Sequence, residues 1–259
     1  SEMCIRDSPE RHFHDFGAPY PNPSVIGSAV AALTEQIQIR AGSVVLPLHN
    51  PVRVAEEWAV VDNLSQGRVG LSFAPGWQIN DFVLNPGAWE TARQDLAKNM
   101  DIVRALWRGE TIDLPGPRGD VPTHTYPRPV QDDLEMWLTS AGSRGSFEAA
   151  GRMGVNVLTH LLGQSLDDLR GNIDAYRAAR KDAGHEGDGH VTVMVHTYLA
   201  EDGDESRQTA REPLKGYLGT AAGLLKNIAS EFPTFRGSGD DADEAFRNLT
   251  DEEMGQLLD

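Results

Sequence analysis

Short apolar segments alternate with amphipathic segments along most of the chain. Segments in which β-branched and apolar residues follow one another almost without interruption are typical of strands that are buried on both faces. Five segments have this pattern and are predicted as strands: Ile37–Leu46, Val69–Phe73, Met136–Thr139, Val155–Thr159 and Val191–Leu199.

Apolar residues that recur every three or four positions predict helices between these strands. Ser24 is the expected N-cap of the first helix, and Ser165 with Asp168 forms a capping-box pattern at the start of the fifth. Trp58 and Trp107 lie on apolar helix faces and are expected in the core. The predicted helices are Val25–Leu33, Pro51–Leu64, Trp89–Trp107, Ser146–Arg152, Ser165–Ala183 and Asp204–Ser230.

This alternation predicts right-handed βαβ crossovers around a parallel sheet, interrupted by an extended or hairpin-like excursion from Pro115 to Pro129. The candidate architectures are an open doubly wound sheet and a (β/α)₈ barrel. No G-x-G-x-x-G turn opens a predicted helix, so a dinucleotide-binding sheet has little support.

Polar clusters favour the barrel, because they follow the carboxyl ends of several successive strands. Side chains from many strand ends meet at one mouth in this fold. We therefore predict an α/β chain that forms a (β/α)₈ TIM barrel. The clusters read PERHFH, LPLHNP, APGWQIND, SAGSRGS and THLLGQ.

Composition and charge narrow the class of protein. The chain has 259 residues, of which 39% are hydrophobic, and this is enough to build a substantial core. A net charge of −16 repels phosphate backbones and anionic lipids, so we expect no nucleic-acid or membrane partner. The single cysteine, Cys4, forms no internal disulfide, and a cytoplasmic location is expected.

The first eight residues differ in pattern from everything that follows. The segment EMCIRDS matches the in-frame translation of a common transposon-type sequencing adapter, so residues 1–8 are expected to be non-native. Residues 9–259 are then one partial barrel domain, and Cys4 lies outside it. The alternative is an ordinary disordered terminus.

Three stretches, in order, resemble the bacterial luciferase-like monooxygenases, the LLM class of flavin-dependent oxidoreductases. They are Pro9–His14 with the following Asn22-Pro23, Val44–Glu56, and Asp62–Arg68 leading to Gly76-Trp77. The resemblance continues through Thr159–Gln164 to about Phe235, and it is strongest to the branch encoded beside natural-product assembly lines. It implies a (β/α)₈ barrel with reduced FMN at its carboxyl-terminal mouth. On that template the first strand, most of the second strand and the eighth strand of the barrel are missing.

The loop that follows the Met136–Thr139 strand is the expected phosphate site. Small residues allow backbone N–H groups to reach an anion, a helix begins directly afterwards, and the side chains offer hydroxyl and guanidinium donors. The same composition also suits an ordinary helix-capping turn, and the resemblance favours phosphate binding. The loop residues are Ala141, Gly142, Ser143, Arg144, Gly145 and Ser146.

Contact with the flavin ring is implied for residues at three other strand ends. In the family, the pair that matches Gly42-Ser43 can form a non-proline cis peptide beside the flavin, although Gly42 could also simply permit close packing. Bacterial luciferase has an arginine where this chain has Pro75, so one phosphate contact differs. The implied contact residues are Gly42, Ser43, Ala74, Gly76, Trp77 and Thr159.

Proton transfer is assigned to Glu10, Arg11 and His12. The luciferase pattern here is Glu-His-His-Phe, so Arg11 stands at the position of the catalytic histidine and His12 matches the second histidine. We expect His12 to act as the acid or base and Arg11 to stabilise an anion. The alternative is that His12 and Arg11 only form structural hydrogen bonds at a strand end.

Substrate contact is expected from His49, Asp81, His160 and His196, which lie at or beyond strand ends. No metal site is predicted, because the histidines lack the close spacing to one another and to carboxylates that a zinc site shows.

The resemblance implies a monooxygenase that uses reduced FMN and O₂ on a small organic or carrier-bound substrate. A separate flavin reductase and a homodimer of the full-length chain are expected. One alternative is hydride transfer with the deazaflavin F420 on the same barrel, and the other is a non-catalytic flavin-binding paralogue.

Overall fold

A computed structural model of the chain describes residues 5–13, 20–161, 164–195 and 197–225. The elements are numbered in chain order. The strands are β1 (Ile5–Ser8), β2 (Gln38–Val45), β3 (Val69–Ala74), β4 (Ile112–Gly116), β5 (Gly119–Thr123), β6 (Glu135–Thr139), β7 (Asn156–His160) and β8 (Val191–Met194). The helices are α1 (Pro23–Leu33), α2 (Pro51–Ser65), α3 (Ala92–Arg108), α4 (Arg144–Met153), α5 (Leu166–Asp182) and α6 (Gly203–Leu225).

Within the described residues, the main sheet has six parallel strands in the order β1-β2-β3-β6-β7-β8. Apart from the β4-β5 hairpin, the spatial order equals the chain order, so every crossover advances in the same direction. A doubly wound sheet reverses direction at a switch point, whereas a barrel does not. The parallel, barrel-type prediction is confirmed, and all six carboxyl ends lie at one edge.

Most predicted elements are confirmed, with shifted ends. The antiparallel β4-β5 hairpin occupies the predicted excursion. The helix predicted from Trp89 begins at Ala92, because residues 79–84 and 86–88 form short 3₁₀ turns first. The N-cap of α1 is Asn22 rather than Ser24, since the Asn22 side chain accepts the Ser24 N–H. The Ser165 capping box of α5 is present as predicted.

Two local features concern the first strands. The Gly42–Ser43 peptide is cis, and the β2-β3 register shifts between Gly42 and Val44, so a bulge lies where β2 approaches the mouth. Residues 5–8, which the sequence analysis set apart, form β1 and pair with β2. The adapter origin of residues 1–8 stays a prediction.

The core lies between the sheet and the helices that cover it. Trp58 on α2 and Trp107 on α3 are almost fully buried, as predicted, beside Phe73 of β3 and Tyr176 of α5. Each large apolar side chain removed from water contributes about 1.5–3 kcal/mol to folding. Among the described residues, no helix combines the length and the apolar character needed to cross a membrane.

Candidate functional site

A buried carboxylate lies at the centre of the polar groups that follow β1 and β2. Glu10 comes two residues after β1, and its side chain is fully buried. Its Oε1 lies 2.7 Å from His12 Nε2 and 2.6 Å from His49 Nε2, and its Oε2 accepts the Val45 N–H at 2.7 Å. One carboxylate therefore joins two imidazoles and the end of β2.

Hydrogen bonds outweigh burial in setting the charge of this cluster. Burial pushes the pKa of Glu10 upward, but hydrogen bonds from His12 and His49 hold it below its ordinary value of 4.5. Burial pulls the pKa of His49 downward, but the bond and the charge of Glu10 raise it above 6.5. The cluster therefore favours the carboxylate form of Glu10 and the charged form of His49.

The stability that His49 contributes should depend on pH in a defined direction. A raised His49 pKa stabilises the fold below pH 6.5, and this contribution is lost as the pH rises through the folded-state value. The lowered Glu10 pKa stabilises the fold above pH 4.5, and this contribution is lost as the pH falls through the folded-state value. We predict that His49→Gln costs about 2 kcal/mol of unfolding free energy at about pH 5.5 and clearly less at about pH 8.5.

Denaturant unfolding of both forms at the two pH values measures this difference. The control is His190→Gln, since His190 is an exposed histidine, and this change should cost less than about 0.5 kcal/mol at either pH. An equal or larger cost of His49→Gln at the higher pH contradicts the assigned charge pair.

The same three residues are the possible metal ligands that the described part of the chain offers. Glu10, His12 and His49 each present one ligand atom, and these atoms lie within 4.8 Å of one another. Two ligands of a tetrahedral zinc lie about 3.3 Å apart, whereas here the N···O distances are those of hydrogen bonds. The geometry fits a hydrogen-bonded cluster better than a metal site.

Arg11, Trp77 and Asp81 lie beside this cluster. The Arg11 guanidinium stacks 5.1 Å from the centre of the Trp77 ring, and burial lowers the pKa of Arg11. Asp81 is 6% exposed, and its Oδ1 is buried without a hydrogen-bond partner within the described ranges. Burial raises the pKa of Asp81, while His12 and Arg11 oppose the rise. A buried acceptor without a partner suits a ligand that brings a donor.

A group of hydroxyls lines the barrel interior near the cis peptide. Thr139 Oγ1 at the end of β6 lies 2.5 Å from Ser43 Oγ and 2.6 Å from Ser72 Oγ. Nearby, Gly76 has φ +84°, and a Cβ there would lie 2.9 Å from Val45 and Phe82. Only glycine fits this point of the pocket wall. Ser43 and Gly76 were expected at the site from the sequence, whereas Ser72 and Thr139 were not.

The predicted phosphate loop follows β6 and runs into α4, since residues 141–143 precede that helix and residues 144–146 form its first turn. Gly142 has φ +105°, and Ser143 stands at the N-cap of α4 without capping it through its side chain. Most of the loop, namely Ala141, Ser143, Arg144 and Gly145, is exposed, and Gly142 and Ser146 are half-buried. Arg144 pairs with Glu148 on the same helix at 3.1 Å. The loop thus offers backbone and hydroxyl donors at a helix N-terminus, while the Arg144 side chain is engaged along the helix.

Two buried amides lie behind this loop, and neither was expected as a site residue, although Gln164 ends the THLLGQ cluster. Gln164 Nε2 donates to Thr159 Oγ1 at 2.8 Å and to the His160 carbonyl, and its Oε1 faces Asn172 Nδ2 at 3.4 Å. Asn172 Nδ2 also donates to the Gly142 carbonyl at 3.0 Å. The end of β7 is therefore linked to the predicted phosphate loop.

The remaining candidates are placed as follows. Ala74 is half-buried at the end of β3, Thr159 is buried on β7, and His160 is half-buried at the carboxyl end of that strand. His196 lies outside the described residues, as do His14 and part of the THLLGQ cluster.

Two clefts can be described. One, of about 360 Å³, includes Arg104, Glu135 and His185 at the amino ends of β6 and β7, away from the mouth. The other, of about 350 Å³, includes Pro47, His49 and Lys98 beside α3, so it touches the Glu10 cluster through His49. Among the described lining residues of both clefts, Glu10, Ser43 and the loop of residues 141–146 do not occur.

Residues 8–258 match the family model of the luciferase-like monooxygenases. The chain is 26% identical over 214 residues to the oxygenase component of a flavin-dependent trigonelline monooxygenase from Acinetobacter baylyi, covering 80% of this chain and 58% of that protein. It is 24% identical to an FMNH₂-dependent dimethylsulfone monooxygenase from Pseudomonas putida. That match covers 73% of this chain and 52% of that protein. The chain spans less than two thirds of the length of these curated relatives.

Solved structures share the fold. Monooxygenase RslO1 from Streptomyces bottropensis superposes with a TM-score of 0.77 at 25% identity, covering 90% of this chain and 72% of that one. A second solved structure is the oxygenating constituent of 3,6-diketocamphane monooxygenase from Pseudomonas putida in complex with FMN. It superposes with a TM-score of 0.76 at 20% identity, covering 98% of this chain and 73% of that one. An F420-dependent secondary alcohol dehydrogenase superposes with a TM-score of 0.70 at 16% identity, covering 98% of this chain and 74% of that one.

Proposed function

Because the chain belongs to the family of luciferase-like monooxygenases, we propose that it forms the flavin site of a monooxygenase that uses reduced FMN and O₂. The observation that carries the proposal is that chemically suitable groups follow the carboxyl ends of β1, β2, β3, β6 and β7 at one edge of the sheet. Relatives named as flavin-dependent and FMNH₂-dependent monooxygenases support this reading.

The loop of residues 141–146 is proposed to hold the FMN phosphate. The loop is open to solvent and includes the N-terminus of α4, where backbone N–H groups without helical partners and the helix dipole both favour an anion. Gly142 provides the left-handed turn, and Ser143 and Ser146 add hydroxyls. These features fit a phosphate, with backbone and hydroxyl donors in the leading role and Arg144 in a minor one.

The isoalloxazine ring is proposed to lie against the Gly42–Ser43 peptide, between Ala74, Gly76 and Trp77. When bound, reduced FMN supplies the electrons that activate O₂. Gly76 lets the backbone of this wall pass close to Val45 and Phe82, because a Cβ there would clash with both side chains. A polar surface below the ring is proposed to consist of Thr159 and the hydroxyls of Ser43, Ser72 and Thr139. The hydrogen bonds among these last three hydroxyls orient them before the flavin binds.

Proton transfer is proposed to depend on Glu10, His12 and His49. The Glu10 carboxylate orients both imidazoles and favours the charged form of His49, so a proton is held at Nε2 of a histidine next to the mouth. Arg11, fixed over Trp77, supplies a positive charge for an anionic oxygen or a substrate carboxylate. Asp81 and His160 are proposed as substrate contacts, together with His196.

The substrate is proposed to be a small organic or carrier-bound compound of natural-product biosynthesis. A separate flavin reductase supplies reduced FMN in this proposal, in line with the relative named as an oxygenase component. We further propose a homodimer of the full-length protein and a cytoplasmic location.

F420-dependent hydride transfer is the second candidate, supported by the shared fold of an F420-dependent dehydrogenase. The third candidate is a non-catalytic flavin-binding paralogue. Arg11 and Pro75 support it, because both differ from the residues of bacterial luciferase at these positions. Anaerobic titration of the purified chain with reduced FMN and with reduced F420 separates these readings.

We predict that reduced FMN binds at least tenfold more tightly than reduced F420. We also predict that adding a flavin reductase and a substrate causes substrate-dependent O₂ consumption. Tighter binding of F420 supports hydride transfer, and FMN binding without O₂ consumption for any substrate tested supports the paralogue. Failure to bind either cofactor contradicts the proposed function.

A further inference from the structure

The two buried amides behind the phosphate loop form one connected unit. Gln164 is 8% exposed and Asn172 is 7% exposed, yet they stand on different segments, just before α5 and inside it. Their hydrogen bonds run from Thr159 and His160 on β7, through both amides, to the Gly142 carbonyl. Burying two amides is costly unless each is hydrogen-bonded, so the arrangement constrains every group in it.

The bond to Gly142 controls the direction of the next amide. The carbonyl of Gly142 and the N–H of Ser143 belong to the same planar peptide, where in the trans form they point in opposite directions. Because Asn172 holds the carbonyl towards the protein interior, the Ser143 N–H is turned away from it, at the start of α4. That orientation suits an anion at the helix N-terminus.

Gln164 limits how far the loop can move inward. A Cβ at Gly142 would lie 3.2 Å from Gln164 Oε1 and 3.3 Å from its Cβ, so the loop backbone already rests against this side chain. Gln164 is held in turn by Thr159 and by the His160 carbonyl. The two amides thus fix both the tilt and the depth of the loop relative to β7.

We propose that Gln164 and Asn172 are positioning residues that hold the 141–146 loop ready for the phosphate of FMN, and so make this chain prefer phosphorylated over unphosphorylated flavin. This inference rests on the proposed function, because it assumes that the loop receives the phosphate. Neither residue needs to touch the flavin. Their effect passes through the Gly142 peptide and should be confined to the phosphate end of the ligand.

Binding of reduced FMN and reduced riboflavin tests the proposal, because riboflavin has the same ring and lacks only the phosphate. In Asn172→Ala the dissociation constant for FMN should rise about tenfold, whereas that for riboflavin should change less than about twofold. Gln164→Met keeps the size of the side chain and the hydrogen bond from Asn172 to Gly142. The dissociation constant for FMN should therefore rise by a smaller factor, about threefold.

The matched control is Asn156→Ala. Asn156 also uses its amide for two hydrogen bonds, to Glu135 and to the His190 N–H, but at the opposite end of β7. This variant should leave the preference for FMN over riboflavin unchanged. If Asn172→Ala fails to fold, Gln164→Met and the control carry the test.

The outcomes separate the inference from the proposed function. If the unmodified chain binds riboflavin as tightly as FMN, the loop does not receive a phosphate and the proposed phosphate site fails. If the unmodified chain prefers FMN and Asn172→Ala or, where that variant is unfolded, Gln164→Met keeps the full preference, the positioning role is overturned while the proposed site stands. Equal weakening of both flavins also overturns it, because that result indicates a general structural role.

Discussion

Replacing the buried Glu10 carboxylate by an amide (Glu10→Gln) is expected to lower turnover of the reconstituted enzyme by about 100-fold, the range of positioned acid–base groups. The amide removes the negative charge that raises the pKa of His49, and its NH₂ group cannot accept the N–H bonds that the carboxylate accepts. The measurement is steady-state O₂ consumption with saturating reduced FMN, on chains whose FMN affinity has been measured first.

The control for this change is Glu56→Gln. Glu56 lies on the outer face of α2 in an exposed pair with Arg53, so this variant loses one carboxylate of the same kind without touching the cluster. It should keep nearly full turnover. In Glu10→Gln the pH profile should also shift to lower pH, as the pKa of His49 falls. A variant with more than half the normal turnover and an unshifted profile contradicts the assigned role of Glu10.

Gly151→Ala is expected to cost about 3 kcal/mol of unfolding free energy, at the upper end for overpacked sites. Gly151 is buried on α4 where that helix packs against α5. A Cβ there would lie 2.3 Å from the Tyr176 carbonyl oxygen and 2.9 Å from the Arg180 nitrogen. These are backbone atoms of a helix, so relief requires a shift of the whole of α5. Denaturant unfolding measures the cost.

Gly171→Ala on α5 is the matched control. A Cβ at Gly171 meets nothing within 4 Å, and the residue lies inside a helix. Alanine is the better helix former there, so this variant should be more stable by about 0.5–1 kcal/mol. A Gly151→Ala variant as stable as the unmodified chain shows that the α4–α5 interface is looser than described. Because α4 begins at the phosphate loop and α5 carries Asn172, that result also weakens the proposed positioning role.

Much of the fold could be predicted because burial on both faces leaves a clear pattern. Val69–Phe73 and Val155–Thr159 are predominantly apolar segments, and both are central strands of the sheet. Ends were predicted less well where local turns compete with a helix. The segment from Trp89 reads as helix, but the preceding 3₁₀ turns around Pro86 delay the regular helix to Ala92.

The neighbourhood of the site was predictable, but its pairings were not. The rule that polar residues at carboxyl strand ends converge brings Glu10 and His49 to the same mouth. It does not reveal that one carboxylate oxygen faces two imidazoles, because that contact joins positions 39 apart in sequence. His49 was therefore assigned to substrate contact, whereas its closest partner is Glu10.

Buried side chains inside the barrel gave a weaker signal. Ser72 and Thr139 sit within apolar strands, and only their position opposite Ser43 indicates a function. Asn172 is equally inconspicuous, since an Asn inside a helix is an ordinary residue, and Gln164 was named only as the end of the THLLGQ cluster. The signal that could have found them is a buried polar residue on an otherwise apolar face, which becomes visible only once burial is known.

A crystal structure of the chain soaked with FMN tests the central claim most directly. We expect the phosphate within hydrogen-bond distance of the backbone N–H groups of residues 142–145, and the ring against Gly42–Ser43 with Glu10 and His12 nearby. Flavin bound instead in the cleft beside Arg104 and His185, or in the one beside Pro47 and Lys98, would contradict it.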